Sequence, residues 1–205
     1  MEEDEDIATI LAFWFGNTVR DASQIPGRMS LWFSSNKATD NEIALRFASS
    51  VEQARSGALD SWRQKPDGRL ATVLLLDQFP RNLYRGKPGA FASDAEALEI
   101  CQQSIVDKTL LALAPIEQVF VLMPLQHAEC RDLQRRSVEE FSKLGVRVQP
   151  SERHYFEGFI KYAQLHKKII DRFGRFPHRN AILGRTSTQE ESAYLAGDAP
   201  RFGQR

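Results

Sequence analysis

Residues 70–86 read Leu70-Ala71-Thr72-Val73-Leu74-Leu75-Leu76-Asp77-Gln78-Phe79-Pro80-Arg81-Asn82-Leu83-Tyr84-Arg85-Gly86. At about 100° per residue, Leu70, Val73, Leu74 and Asp77 fall on one face of a helix. A carboxylate on an apolar face is costly unless it is paired, so Asp77 needs a cation or hydrogen-bond donors in the interior. Proline disfavours the α conformation in the residue before it, and the helix is expected to end at Phe79. Arg81, Asn82 and Arg85 follow at once. The stretch sends an acid into the core and then turns two guanidinium groups outward, which is the outline of a site.

Outward from this stretch, almost every segment has helical period. Ile7, Ile10, Leu11 and Trp14 form a stripe that closes at Gly16. Residues 17–38 read as loop, with Ile25-Pro26-Gly27 as a turn and Leu31, Trp32 and Phe33 as an aromatic plug. Thr39 or Asp40 is expected to cap a helix whose stripe is Ile43, Phe47, Val51 and Ala54 and which Gly57 ends. Ala58 to Gln64 suggest a short helical turn around Trp62, and Pro66-Asp67-Gly68 a turn. Ser93-x-x-Glu96 and Ser187-x-x-Glu190 have the form of capping boxes. Pro115 suits the first position of a helix through Met123. Glu129 to Leu144 make another helix, stopped by Gly145. The longest follows Pro150 and Ser151 and runs to Phe173 and Gly174. Alternation of period two is confined to Val146–Val148, too short to found a sheet. The reading is one all-α domain over residues 1–205, with roughly eight or nine helices, short connections and frayed ends at 1–5 and 197–205. No repeat at a fixed period is evident.

Composition narrows the partners. The chain has 205 residues, 42% of them apolar, with 27 basic and 27 acidic side chains. Balanced charge gives no pull toward nucleic acid or an anionic membrane surface. The apolar runs are too short to span a bilayer. The acidic start, Met-Glu-Glu-Asp-Glu-Asp, is the reverse of a signal or transit peptide, and a cytoplasmic location is expected. Cys101 and Cys130 form neither a disulfide framework nor a metal spacing, and both are expected to be buried thiols. The chain lacks a Gly-rich phosphate loop, a Gly-x-Ser-x-Gly elbow and His-Glu-x-x-His. His127, Glu129 and Cys130 gather in a short span, but no second cluster has ligand spacing, so neither metal nor other cofactor is expected. Lys167-Lys168 reads as a solvated face.

Two patterns single out residues for a site. Besides Asp77, Gln134 lies within the apolar face of Cys130, Ser137, Val138 and Phe141. His166 lies at the centre of the ridge Tyr155, Phe159, Tyr162, Ile169 and Phe173. Each is either satisfied separately in the core or meets the others in one polar pocket. The second pattern is a near-repetition. Phe79-Pro80-Arg81-Asn82 precedes Arg85-Gly86, and Phe176-Pro177-His178-Arg179-Asn180 precedes Gly184-Arg185. Either these are two similar helix corners whose arginines bond terminal carbonyls, or the corners face each other and present Arg81, Arg85, Arg175, Arg179 and His178 around an anion.

Leu75-Leu76-Asp77-Gln78-Phe79-Pro80-Arg81-Asn82 with Arg85-Gly86, Ala90-Phe91-Ala92-Ser93-Asp94, and the run Phe173 to Arg185 resemble motifs of a mostly bacterial family catalogued as domain of unknown function 924. Phe13-Trp14-Phe15-Gly16 and Ser187-Thr188-x-Glu190-Glu191 also match, so the resemblance covers nearly the whole chain. It implies an all-α fold similar to tetratricopeptide-repeat proteins and no established activity. The motif positions it implies are Asp77, Gln78, Arg81, Asn82, Arg85, Glu129, Gln134, His166, Arg175, His178, Arg179 and Asn180. Where the family usually has His-Ser-Glu-Asp, this chain has His127-Ala128-Glu129-Cys130.

The resulting expectation is a helical domain with an arginine-rimmed polar pocket. Asp77, Gln78, Arg81, Asn82, Arg85, Gln134, His166, Arg175, His178, Arg179 and Asn180 would form it, and it would bind a small anionic molecule or a peptide carboxylate without a metal. One alternative is a metal-independent enzyme acting on a small phosphorylated or carboxylated metabolite, with His166 or Glu129 as acid or base. Another is a scaffold without a ligand.

Overall fold

The Leu70–Gly86 stretch does not break at its proline. Helix α4 spans Pro66–Val73, a π-helical turn covers Leu74–Gln78, and α5 continues over Phe79–Leu83. In a regular α-helix the Pro80 ring would strike the carbonyl four residues back. The wider π turn relieves this: Phe79 keeps helical dihedrals and its N–H donates to the Leu74 carbonyl, five residues back. The expected helix end at Phe79 is thus replaced by a change of helical register. Residues 70–80 are buried on every side, so this is the central helix of the protein.

The computed structural model describes residues 2–204. Around the central helix lie α1 (Glu2–Phe15), α2 (Ile25–Phe33), α3 (Lys37–Arg55), α6 (Asp94–Val106), α7 (Pro115–His127), α8 (Arg131–Arg147), α9 (Arg153–Phe173) and α10 (Gln189–Ala196). Short 3₁₀ turns connect several of them, and no strand occurs among the described residues. The protein is all-α. Helices α6 to α9 pack each against the next, and α3 packs on α5. Trp14, Phe15, Phe79, Phe120 and Phe141 fill the core. A smaller cluster of Ile169, Ile170 and Phe176 anchors the second Phe-Pro corner. Among the described residues no helix is long and apolar enough to cross a membrane.

Several local expectations are corrected. Ile25–Phe33 is a helix rather than loop, because Pro26 lies in its first turn, where a missing N–H leaves no bond unmade. Asn36, not Thr39 or Asp40, caps α3 by accepting from the Ala38 N–H at 2.9 Å. Pro66 opens α4 instead of a turn. Gly145 lies inside α8, where an added Cβ would come within 2.7 Å of Ile160 Cδ1, so it serves close packing of α9 rather than a helix stop. Ser93 and Glu96 form no capping box: the Ser93 hydroxyl accepts from Arg55 Nε at 3.0 Å, and Glu96 pairs with Arg63. The second box lies one residue later, at Thr188 and Glu191. Cys101 is buried, but Cys130 is exposed at the start of α8. The segment expected to fray at 197–205 folds back as far as it is described, and Gln204 is only 3% exposed.

Candidate functional site

The π turn carries Asp77 into full burial. Its carboxylate accepts from His127 Nδ1 at 2.8 Å and from Gln78 Nε2, and it pairs with Arg81 Nη1 at 3.2 Å. Burial by itself would raise the Asp77 pKa. The Arg81 charge and the His127 and Gln78 contacts outweigh it and hold the carboxyl far below the usual range. His127 is the last residue of α7. Burial, then the charge of Arg81, lowers its pKa against the pull of Asp77, which favours the neutral ring. An ionised carboxylate only accepts hydrogen bonds, so the His127 proton is on Nδ1 and Nε2 keeps its lone pair.

The two Phe-Pro corners lie side by side. Asp94, at the start of α6, accepts from Arg81 Nη2 at 3.0 Å and from Arg179 Nη1 at 3.2 Å, so one carboxylate bridges both. The Arg179 guanidinium sits between rings, 4.5 Å from the Phe91 centroid and 4.7 Å from that of Phe176. Burial pulls its pKa down to about 10, which leaves it charged at neutral pH. Its Nε–H is buried without an acceptor. Arg85 donates to Asp40 through Nε at 2.9 Å and Nη2 at 2.7 Å, and its Nη1 donates to the Gly203 carbonyl at 2.6 Å. Asn82 Nδ2 donates to the same Asp40 at 2.8 Å.

His166 points inward from α9, and its Nδ1 donates to the Tyr162 carbonyl at 2.8 Å, so here too Nε2 is the free acceptor. Its ring stacks on Phe202 at 4.0 Å and lies 6.0 Å from that of His127. Burial pushes its pKa down to about 3. Burial and then the charge of Arg179 push His178 equally low, to about 3.

These groups enclose a cavity of about 320 Å³. Arg81, Arg85, Arg179 and Arg201, with His127, His166 and His178, line its polar side. Met29, Trp32, Phe33, Met123 and Phe159 also line it, and among the described residues no carboxylate reaches the lining. Gln78 and Asn82 also line it, while Asp77 stands behind His127. Among the described residues no group of three or more His, Cys, Asp or Glu is placed to hold a metal.

Four of the sequence-predicted residues lie elsewhere. Gln134 closes the end of α7 by donating to the Gln126 and Ala128 carbonyls at 2.7 and 2.8 Å. Glu129 accepts from the Phe176 N–H at 2.7 Å and from Arg185 at 2.6 and 2.9 Å, which clamps the second corner. Arg175 pairs with Glu191 at 2.7 Å, and Asn180 Nδ2 donates to Ser187 and Glu191. Sequence reasoning missed His127 as the partner of Asp77, and also Asp94, Phe91, Arg201 and Phe202. Asp94 and Phe91 stand in the Ala-Phe-Ala-Ser-Asp motif, but no local spacing connects His127 to an acid 50 residues earlier.

The molecule is an all-α protein with a cavity lined by arginine and histidine side chains beside its two proline corners. The chain belongs to the bacterial proteins of unknown function grouped as DUF924, whose family pattern it matches over residues 10–199. It is similar to the solved structure of ATU0120, a protein of unknown function from Agrobacterium tumefaciens. Identity is 34%, the TM-score is 0.79, and the match covers 94% of this chain and 97% of that one. No curated protein matches the chain.

Proposed function

We propose that the cavity binds a small organic anion with an apolar body. The observation that carries this is the lining itself: four guanidinium groups and three imidazoles share it with aromatic and thioether side chains, and no carboxylate of the described residues joins them. A volume of about 320 Å³ suits a small molecule better than an extended peptide. The guanidiniums supply both charge and planar donors for the anion. Titration calorimetry with phenyl phosphate and with benzoate tests the reading. At least one should bind, and Arg201→Ala, at an exposed lining residue, should weaken binding while leaving the melting temperature unchanged. Failure of both probes to bind at millimolar concentration refutes it. Native mass spectrometry of freshly purified protein would show any ligand carried through purification.

A second reading, catalysis on the bound anion, is favoured by the Asp77–His127 pair. A buried carboxylate that fixes the imidazole tautomer and leaves Nε2 free is the arrangement of a general base. That role suits His127 better than Glu129, whose oxygens are taken by Arg185 and Phe176. His166 remains beside it as a second acceptor. Two free thiols accord with work in a reducing cytoplasm, and the succession of packed neighbours α6 to α9 accords with a tetratricopeptide-like array.

A further inference from the structure

We infer that the cavity takes its anion together with a proton: a phosphate monoester on an apolar body, with one proton shared between a phosphate oxygen and His127 Nε2. The inference rests on the anion-binding reading above and adds the chemical class. Two features of the lining carry it.

The first is the pattern of donors and acceptors. His127 and His166 both line the cavity, and each has its Nδ1–H committed, to Asp77 and to the Tyr162 carbonyl respectively. Among the described residues neither Nε2 has a protein partner, and neither is sealed in the core as an unsatisfied atom. A neutral imidazole in this tautomer offers a lone pair. An anion whose oxygens all carry lone pairs would face these nitrogens with repulsion. The guanidiniums demand acceptors from the same ligand. A phosphate monoester that keeps one P–O–H meets both demands, whereas a carboxylate or sulfonate has no proton to give.

The second is charge. Asp77 and Asp94 together balance Arg81 and Arg179, and Asp40 balances Arg85. Arg201 lines the cavity with no carboxylate partner among the described residues; its Nη2 donates to the Leu195 carbonyl. Among the described residues one positive charge is left over, which a monoanion matches. The groups that face His127 are Asp77 and Arg81 from the central helix, Asp94 from α6 and His166 from α9, and the corner residues Arg179 and His178 in turn face His166. Only Asp77 and Asp94 favour a charged ring, and Asp94 already serves two arginines, so the proton is best kept on the ligand side of the bond.

The test compares two probes of one shape on the unmodified protein: phenyl phosphate, which keeps or loses a proton around pH 6, and benzenesulfonate, which stays a proton-free monoanion. Calorimetry from pH 6 to 8 should show phenyl phosphate binding at least about tenfold tighter at pH 6 than at pH 8. At pH 8 it should show uptake of about one proton, read from buffers of different ionisation enthalpy. Benzenesulfonate should bind more weakly than phenyl phosphate at pH 6. His127→Ala, checked for its helical spectrum, should erase the preference between the two probes. Equal binding of the probes, or phenyl phosphate affinity that does not change with pH, overturns the inference and leaves the anion site intact. Binding of neither overturns the inference, and failure of benzoate as well overturns the anion site itself.

Discussion

Replacing Asp77 by alanine should be the most damaging single change in the site, and the structure sets its size. The carboxylate is fully buried, pairs with Arg81 at 3.2 Å and accepts from His127 at 2.8 Å. Removing one member of a buried pair costs about 3–5 kcal/mol, because a charge is left without compensation. Here Asp94 still holds Arg81, at 3.0 Å, which draws the charge part toward the low end. The orphaned His127 Nδ1–H adds about 1–3 kcal/mol. The expected loss stays near 3–5 kcal/mol, which for a chain of this length lowers the melting temperature by roughly 10 °C. Thermal unfolding followed by circular dichroism at pH 7 measures it. The pH dependence gives a second check. The folded-state pKa of Asp77 is lowered, so its contribution is complete above the ordinary carboxylate range and is lost as pH falls through the folded value. The gap between the natural protein and the variant should be constant from pH 8 to about 5 and narrow only in stronger acid. A loss below about 1 kcal/mol, or a gap that closes between pH 8 and 6, would refute the paired, buried carboxylate.

Three further outcomes follow from the same geometry. His166 and His178, both held at about 3, bind fewer protons folded than unfolded, so stability should fall as pH drops from about 6.5 toward 4; urea midpoints that stay flat over this window would contradict their burial as neutral rings. Gln134→Ala should destabilise by about 2–3 kcal/mol, since buried α7 carbonyls lose their donor, yet leave probe affinity in the refolded protein unchanged. A large change in affinity would return Gln134 to the site. Of the two thiols, exposed Cys130 should react with a thiol reagent in the native state, and Cys101, whose pKa burial pushes up, only after unfolding; two fast thiols would contradict the fold around α6.

What was legible in the sequence follows the range of the physics involved. The stripe Ile43, Phe47, Val51 and Ala54, the cap at Gly174 and the burial of Asp77 rest on periodicity and local sterics, and all appear in the fold. Where local rules competed, tertiary packing decided. Ser93 and Glu96 have the spacing of a capping box, but Arg55 and Arg63 arrive from other segments and take both side chains. Gln134 and His166 look alike in sequence, each a polar residue in an apolar stripe. Gln134 sits where the buried end of α7 needs donors, and His166 sits where a cavity opens. Nothing within a few residues of either separates these fates. The likeness of the two Phe-Pro corners was legible, but Asp94, the carboxylate that joins Arg81 to Arg179, reaches them only through the packing of α6.

The π turn is the step that links core to site. Inserting one residue turns everything after it by about 100° relative to a continuous α-helix. Leu70, Val73 and Leu74 face the core before the insertion. After it, Arg81, Asn82 and Arg85 reach the cavity while Phe79 remains in the aromatic core with Trp14 and Phe47. Without the extra residue, the Pro80 ring would meet a backbone carbonyl and Arg81 would be turned away from Asp94. The same insertion that accommodates the proline therefore aims the guanidiniums. It also places Asp77 at the join, where its carboxylate is at once part of the core and the support of His127. A change at Asp77 must then disturb both, whereas Arg201 is exposed, has no carboxylate partner among the described residues and makes one hydrogen bond, to the Leu195 carbonyl. Stability and binding should separate at Arg201 and remain coupled at Asp77.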